Sequence, residues 1–187
     1  MESKIKRLIK KIKKGDQAAF EEIVNLYKNQ VYNICYRMVG LPHEAEDLAQ
    51  ETFLRAYTHI DQFKSDKTFS TWLYRIATNL SIDYLRKKRP STYLDADIPG
   101  TEGFTMYMHV PSDERLPEDR LIENEKQKII HYEINQLPPK YRSVIVLKYL
   151  QDLSLKEISN ILNLPETTVK TRVHRAREAL RKRLRHF

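Results

Sequence analysis

The chain has 187 residues, with 33 Lys and Arg against 25 Asp and Glu and a formal charge of +8, enough material for one large domain or two small ones. An apolar share of 41% supports a packed core, but no run approaches the roughly 20 apolar residues that cross a bilayer, and no apolar block with a cleavage site opens the chain; a soluble, cytoplasmic protein without direct membrane insertion is expected. One cysteine, Cys35, excludes an intramolecular disulfide and a Cys metal cluster, and four glycines leave little for a phosphate-cradling loop.

From the N-terminus, Ile5, Leu8, Ile9 and Ile12 follow the spacing of one helix face. Phe20, Ile23, Val24, Tyr27, Val31, Ile34, Cys35 and Met38 carry the same period through a longer second helix, which makes Cys35 a core residue. Gly40 stops that helix and Pro42 starts a third, running to about His59. Its apolar stripe is Ala45, Leu48, Ala49, Thr52 and Ala56, which puts Asp47, Gln50, Glu51, Leu54 and Arg55 on other faces. A fourth helix is expected from about Thr68 to Lys88, with Phe69, Trp72, Leu73, Ile76, Ala77 and Leu80 as its apolar set. No segment alternates with period two, so this half reads as all-helical.

Two features of this half go beyond folding. Phe63 to Arg75 concentrates aromatics and bases at a loop-to-helix junction, a combination that holds unstacked bases on ring faces while cations hold phosphates. Phe69 and Trp72 also share the apolar stripe, so packing in the core is an equally available role for them. Asn79, Asp83 and Arg86 form a polar stripe that ends in the basic run Arg86-Lys87-Lys88-Arg89, either a solvated helix end or a groove-reading face.

Residues 91–116, with Pro99, Gly100, Gly103 and Pro111 and no sustained apolar period, read as a flexible acidic linker. Beyond it, Pro138-Pro139 separates two helices, and Ser154-Leu155-Lys156-Glu157 is a capping box opening a short helix to Leu162. Asn163-Leu164-Pro165 makes a turn, and Val169, Val173, Ala176 and Leu180 give the last helix one buried stripe, with Ser159 as the small residue where two helices cross. This is a helix-turn-helix pattern. The last helix exposes Glu166, Thr167, Lys170, Thr171, Arg172, His174 and Arg175 at its start, short polar and cationic groups suited to base edges, and then a run of further arginines suited to phosphates.

Charge is distributed in opposed blocks: +6 over residues 1–14, −5 over 15–62, +5 over 63–90, −7 over 91–125 and +9 over 126–187. Two basic blocks flanking an acidic, Pro-containing stretch suggest two modules that touch a polyanion, joined by a segment that does not.

Four motifs in order carry a family resemblance: His43 to Tyr57, Phe69 to Asn79, Leu137 to Arg142, and Thr168 to Leu180. Together they resemble the extracytoplasmic-function (ECF) group of sigma-70 family RNA polymerase sigma factors, and within it the sigma-W type of Gram-positive bacilli. The resemblance implies an all-α fold of two small helical domains: a core-polymerase-binding and −10-melting bundle over residues 1–90, the linker, and a −35-reading helix-turn-helix domain over 117–187. It implies that Asp47, Gln50, Glu51, Phe53 and Arg55 dock on the clamp helices of the polymerase largest subunit, with the polymerase flap as a further contact. Phe63, Lys64, Lys67, Phe69, Trp72, Tyr74, Arg75, Asn79, Asp83, Arg86 and Lys87 correspond to the part that melts and reads the −10 element. Glu166, Thr167, Lys170, Thr171, Arg172, His174 and Arg175 correspond to the −35 reader, where His174 departs from the aromatic of some relatives. The resemblance further implies an anti-sigma factor, often membrane-anchored, acting in envelope stress, and a linker whose Asp95, Asp97, Glu102, Asp113 and Glu114 mimic nucleic acid in a polymerase channel.

No cofactor or metal is expected, and no catalysis of the chain's own: six histidines include no His-x-x-x-His pair and no Cys companions. A helix-turn-helix regulator acting without polymerase is the other reading, and it would leave the Asp47, Gln50, Glu51 face and the aromatic-basic junction without a role.

Overall fold

The computed structural model describes residues 2–64, 68–88 and 121–186, with backbone alone for 121–126 and 186. The expected linker, both domain boundaries and Lys67 lie outside the described residues. Among those described there is no strand, and no helix is long and apolar enough to cross a membrane.

Helix α1 (Glu2–Ile12) buries Ile5, Leu8, Ile9 and Ile12 and packs on α2 (Gln17–Val39). Asp16 caps α2, its Oδ1 accepting from the Ala19 amide at 3.0 Å. Gly40, at φ 77°, closes α2 in the left-handed conformation, its N–H donating to the Tyr36 carbonyl at 2.8 Å. Helix α3 (Pro42–Thr58) starts with proline in its first turn, where a missing N–H costs nothing. A 3₁₀ turn (Ile60–Gln62) then leads towards α4 (Phe69–Lys88). Helices α2, α3 and α4 pack on one another around fully buried Ile23, Ile34, Met38, Ala45, Ala56, Leu73 and Ala77, and Cys35 lies in this core as its stripe requires. Burial pushes the Cys35 thiol up to about 11, so it stays an un-ionised packing group.

The C-terminal unit comprises α5 (Leu121–Asn135), α6 (Pro139–Ile145) continuing into a π turn (Val146–Leu150), α7 (Leu155–Leu162) and α8 (Glu166–Arg183). Helix α8 packs on α6 and α7, and an Arg183–Glu133 ion pair at 3.4 Å ties it to α5.

Both helical units expected from the sequence are present, and beyond that expectation they pack against each other: α7 lies on α4, while α5 and α6 meet α2. One apolar cluster runs through both units. At the contact stands Arg142, only 1% exposed. Its Nη1 donates to the Met38 carbonyl near the end of α2, and its Nη2 donates to the carbonyls of Asn135 and of Leu137, the latter at 3.1 Å. A cation thus sits at the negative ends of two helices, where it also satisfies carbonyls that helix termini leave open. A Cβ added at Gly40 would lie 2.9 Å from Asn135 Nδ2, the movable end of a side chain on α5, so it is the φ of 77° that calls for glycine here.

At the same contact His131 of α5 is held well below its usual pKa, down to about 4, by burial first and then by the Arg37 charge on α2. Its buried Nδ1 has no hydrogen-bond partner among the described residues. Because the folded value lies below the unfolded one, the neutral ring's contribution is fully present above about pH 6.5 and is lost as pH falls towards 4. Chemical denaturation at pH 7, 6, 5 and 4 is therefore expected to show wild type losing more stability on acidification than His131→Gln, and equal pH slopes would contradict this placement.

Candidate nucleic-acid and protein-binding surfaces

Helix α3 turns Ala45, Ala49, Thr52 and Ala56 inward, and the Thr52 hydroxyl is satisfied by the Leu48 carbonyl at 2.7 Å. This leaves Asp47, Gln50 and Arg55 exposed and Glu51 half-buried, with Glu51 Oε1 accepting from Arg55 Nε at 2.6 Å. Asp47, Gln50, Glu51 and Leu54 stand at i, i+3, i+4 and i+7, one face of the helix. Leu54 is 61% exposed in the middle of that face, a large apolar side chain with no intramolecular cover. The sequence reading placed Leu54 away from the core but gave it no role; an apolar residue on a polar face was the available signal. Phe53 differs from its assignment: at 9% exposure it belongs to the core and supports α3 from beneath.

On α4 the polar stripe is presented as expected. Asn79, Asp83, Arg86 and Lys87 are exposed, and Arg86 Nη1 donates to Asp83 Oδ1 at 3.1 Å. Lys88 turns back to α3, its ammonium 2.9 Å from Glu44 and over the Tyr84 ring at 4.8 Å. The hydrogen bond from Lys88 holds the Glu44 carboxyl below its ordinary value.

The aromatic junction is a packed cluster. Phe63, Phe69 and Trp72 form a triangle with ring centroids 5.5, 5.5 and 5.6 Å apart, and Tyr27 meets Phe69 at 5.7 Å. Phe63, Phe69 and Tyr74 are buried; burial beside Tyr27 raises the Tyr74 hydroxyl to about 12. Trp72 and Arg75 are half-buried and Lys64 is exposed, so of the four aromatic side chains assigned here Trp72 alone keeps a partly open ring.

The helix-turn-helix is built by local chemistry. The Ser154 hydroxyl accepts from the Glu157 amide at 3.2 Å and Glu157 Oε2 accepts from the Ser154 amide at 2.9 Å, the reciprocal capping box expected. Asn163, at φ 53°, ends α7, and the Ser159 hydroxyl donates to the Leu164 carbonyl at 2.5 Å, so this small residue also ties the turn. Pro165 caps α8 instead of occupying its first turn. With Val169 and Ala176 fully buried, α8 presents Glu166, Thr167, Lys170, Thr171, His174 and Arg175 to solvent and Arg172 at the edge. Thr167, Thr168, Thr171, Arg172 and Arg175 line an open cleft whose other wall is Lys140 of α6. Lys140 is a cation from a separate helix, which spacing within α8 could not reveal.

Residues 23–91 match the Sigma-70 region 2 family and residues 127–180 match Sigma-70, region 4. The chain is 60% identical to the ECF RNA polymerase sigma factor SigW of Bacillus subtilis over 99% of both chains. The chain belongs to the ECF sigma factors of the sigma-70 family. The chain is also 35% identical to the ECF sigma-E factor of Escherichia coli K12, covering 92% of this chain and 90% of that one. The RNA polymerase sigma-H factor of Pseudomonas aeruginosa is 34% identical over 95% of this chain and 92% of its own. The fold of this sigma factor is similar to that of CnrH in complex with the cytosolic domain of CnrY, at TM-score 0.70, 22% identity and 97% coverage of each chain. It is also similar to the sigma factor RpoE of Bartonella quintana in complex with the anti-sigma factor NepR, at TM-score 0.62 and 24% identity, covering 88% of this chain and 96% of that one. The region 2 match spans most of α2, with α3 and α4, and the region 4 match begins within α5; α1 lies outside both.

Removing the Ser154 cap is expected to cost about 1 kcal/mol. Urea denaturation of Ser154→Ala should show a lowered midpoint, with Ser154→Asp restoring most of it because a carboxylate accepts the same amide bond.

Proposed function

We propose that this sigma factor engages core RNA polymerase through the Asp47, Gln50, Glu51, Leu54 face of α3, with Arg55 at its edge. It reads and melts the −10 element with the α4 stripe Asn79, Asp83, Arg86, Lys87 and the junction of Lys64, Lys67, Trp72 and Arg75, and it reads the −35 element with the start of α8. The observation that carries the reading is that α3, α4 and α8 each bury an apolar stripe and turn Asp47, Gln50, Asn79, Lys170, Thr171 and His174 to solvent. Phe53, Phe63, Phe69 and Tyr74 act from the core, holding the exposed groups in place.

Duplex binding by α8 supplies register, with Lys170, Thr171, His174 and Arg175 towards base edges and Lys140 and Arg172 towards phosphates. Capture of an unstacked base beside Trp72 offsets an opening cost of a few kcal/mol. The polymerase supplies the catalysis and the chain none. The flap is met by the C-terminal unit, where Tyr149 and Leu150 of the π turn are exposed, 50% and 38%. An anti-sigma factor holds the protein in check in the cytoplasm, one anchored to the membrane in the envelope-stress pattern of the family; NepR bound to a protein of this fold supports that partner class.

Purified protein added to core polymerase and promoter DNA is expected to yield specific run-off transcripts, and Gln50→Ala or Glu51→Ala to weaken polymerase capture without loss of thermal stability. Transcripts absent with wild type would sink the reading. Within the −35 site, Lys140→Gln should weaken binding to matched and mismatched −35 duplexes by the same factor, whereas Arg175→Gln should narrow the gap between them. A sequence-dependent effect of Lys140→Gln would remove it from the phosphate-contacting group.

A further inference from the structure

The basic block at residues 1–14 has no role in the reading above, and α1 lies outside both family matches. Its apolar side is spent on α2, with Ile5, Leu8, Ile9 and Ile12 all buried, and all seven Lys and Arg of the block are exposed. They are not equivalent. Lys4 pairs with Glu22, and Lys11 lies 3.9 Å from Asp16. Lys6, Lys10 and Lys13, at i, i+4 and i+7, form one stripe, and this stripe and Ile9 together with Phe63 line an open cleft.

Lys13 ties the stripe to the aromatic junction: its ammonium donates to the Phe63 carbonyl at 3.2 Å and lies 3.4 Å from that of Asp61. Lys6 also lines a second, narrower cleft with Ile5, Phe63, Thr68 and Phe69, which carries the surface on to the start of α4. Lys6 shares a weak i, i+4 contact with Glu2 at 3.4 Å, and Lys10 makes no ion pair among the described residues. A cationic row along open clefts with an apolar floor suits the backbone of a single strand, its ammonium groups following the phosphates.

We infer that the Lys6, Lys10, Lys13 stripe of α1 carries the phosphates of single-stranded promoter DNA next to the segment held by α4. The inference rests on the promoter-melting reading above and extends it to a helix that reading leaves unused. Seven residues of helix span about 10 Å at 1.5 Å each, close to the axial rise of about three nucleotides at 3.4 Å in a stacked strand. The contacts are to phosphates and are indifferent to base identity. A nucleic-acid strand fits better than an acidic protein segment because the stripe continues into the −10 junction.

The test uses holoenzyme assembled from core polymerase and either wild type or Lys6→Gln/Lys10→Gln; Lys13 is kept because it bonds the Asp61 and Phe63 carbonyls. Binding is measured from 50 to 200 mM salt on promoter DNA with a pre-opened bubble and on a closed −35 duplex. Losing two single-strand phosphate contacts should lower the log–log salt slope on the bubble by about 1.4, so the same salt rise costs the variant about sevenfold less affinity than it costs wild type. The closed duplex should show no change. Equal slopes on the bubble overturn the inference, as does weaker capture of core polymerase by the variant without DNA, which would make the stripe a protein contact. Run-off transcription by wild type separates the two levels: an active wild type with unaltered variant slopes removes only the α1 site, while an inactive wild type removes the reading beneath it as well.

Discussion

The arrangement of the molecule depends on one buried guanidinium. An uncompensated charge in an apolar interior costs several kcal/mol, so Arg142 can be 1% exposed only where fixed acceptors surround it. The acceptors are carbonyls at the ends of α2 and α5, groups that a helix cannot satisfy internally. That requirement reaches far along the chain. Helix α2 must stop at Gly40, in the left-handed conformation that glycine adopts freely, and α5 must stop before Pro138-Pro139 so that Leu137 O faces the same cation. Once α2, α5 and α6 share this centre, α7 is carried onto α4 and α8 follows through its packing on α6 and α7.

Around that centre, packing and function use different sides of the same helices. Helices α3, α4 and α8 each commit one stripe to the core and leave an opposite stripe of charged and amide side chains in water. Exposed polar groups contribute little to folding, so they are free to be chosen for partners. The aromatic junction is the exception. Phe63, Phe69 and Trp72 pack on one another, and Phe69 also on Tyr27, so the rings at the proposed melting surface also hold the N-terminal unit together. A change there alters both properties at once, whereas a change at Asn79 or Lys170 alters one.

Much of this was legible in the sequence because it is local. The period of Ile5, Leu8, Ile9 and Ile12, the stop at Gly40, the Ser154–Glu157 box and the buried Cys35 follow from side chains a few residues apart, and the structure has them in place. The polar faces were legible as what remained after the stripes were taken out. Other features depended on contacts between distant residues. The burial of Arg142 has no sequence signal, because its acceptor on α2 lies 104 positions away. Phe53 carries a docking role only through the family resemblance, and its packing places it in the core. Lys140 belongs to a cleft whose other wall is a different helix. The nearness of α1 to Phe63 depends on Lys13 reaching residues 48 and 50 positions away.

Ionic strength separates the two kinds of cation in this chain. At physiological salt the screening length is about 8 Å, and exposed charges more than that distance apart act almost independently. Most lysines and arginines of α1, α4 and α8 stand in solvent, where salt screens them, and any phosphate contact they make through counterion release weakens as salt rises. Arg142 is only 1% exposed and donates to carbonyls inside the protein, so added salt has little access to it. The ion pairs Lys88–Glu44 and Arg183–Glu133 lie between these limits, since Glu44 is partly covered in the first and both partners are in the second. A rise in salt therefore removes nucleic-acid affinity well before it loosens the packing of the two helical units. The positive charge that composition reports as one number acts in two ways: most of it serves contacts that water and salt can dissolve, and a single buried residue serves the architecture that presents them.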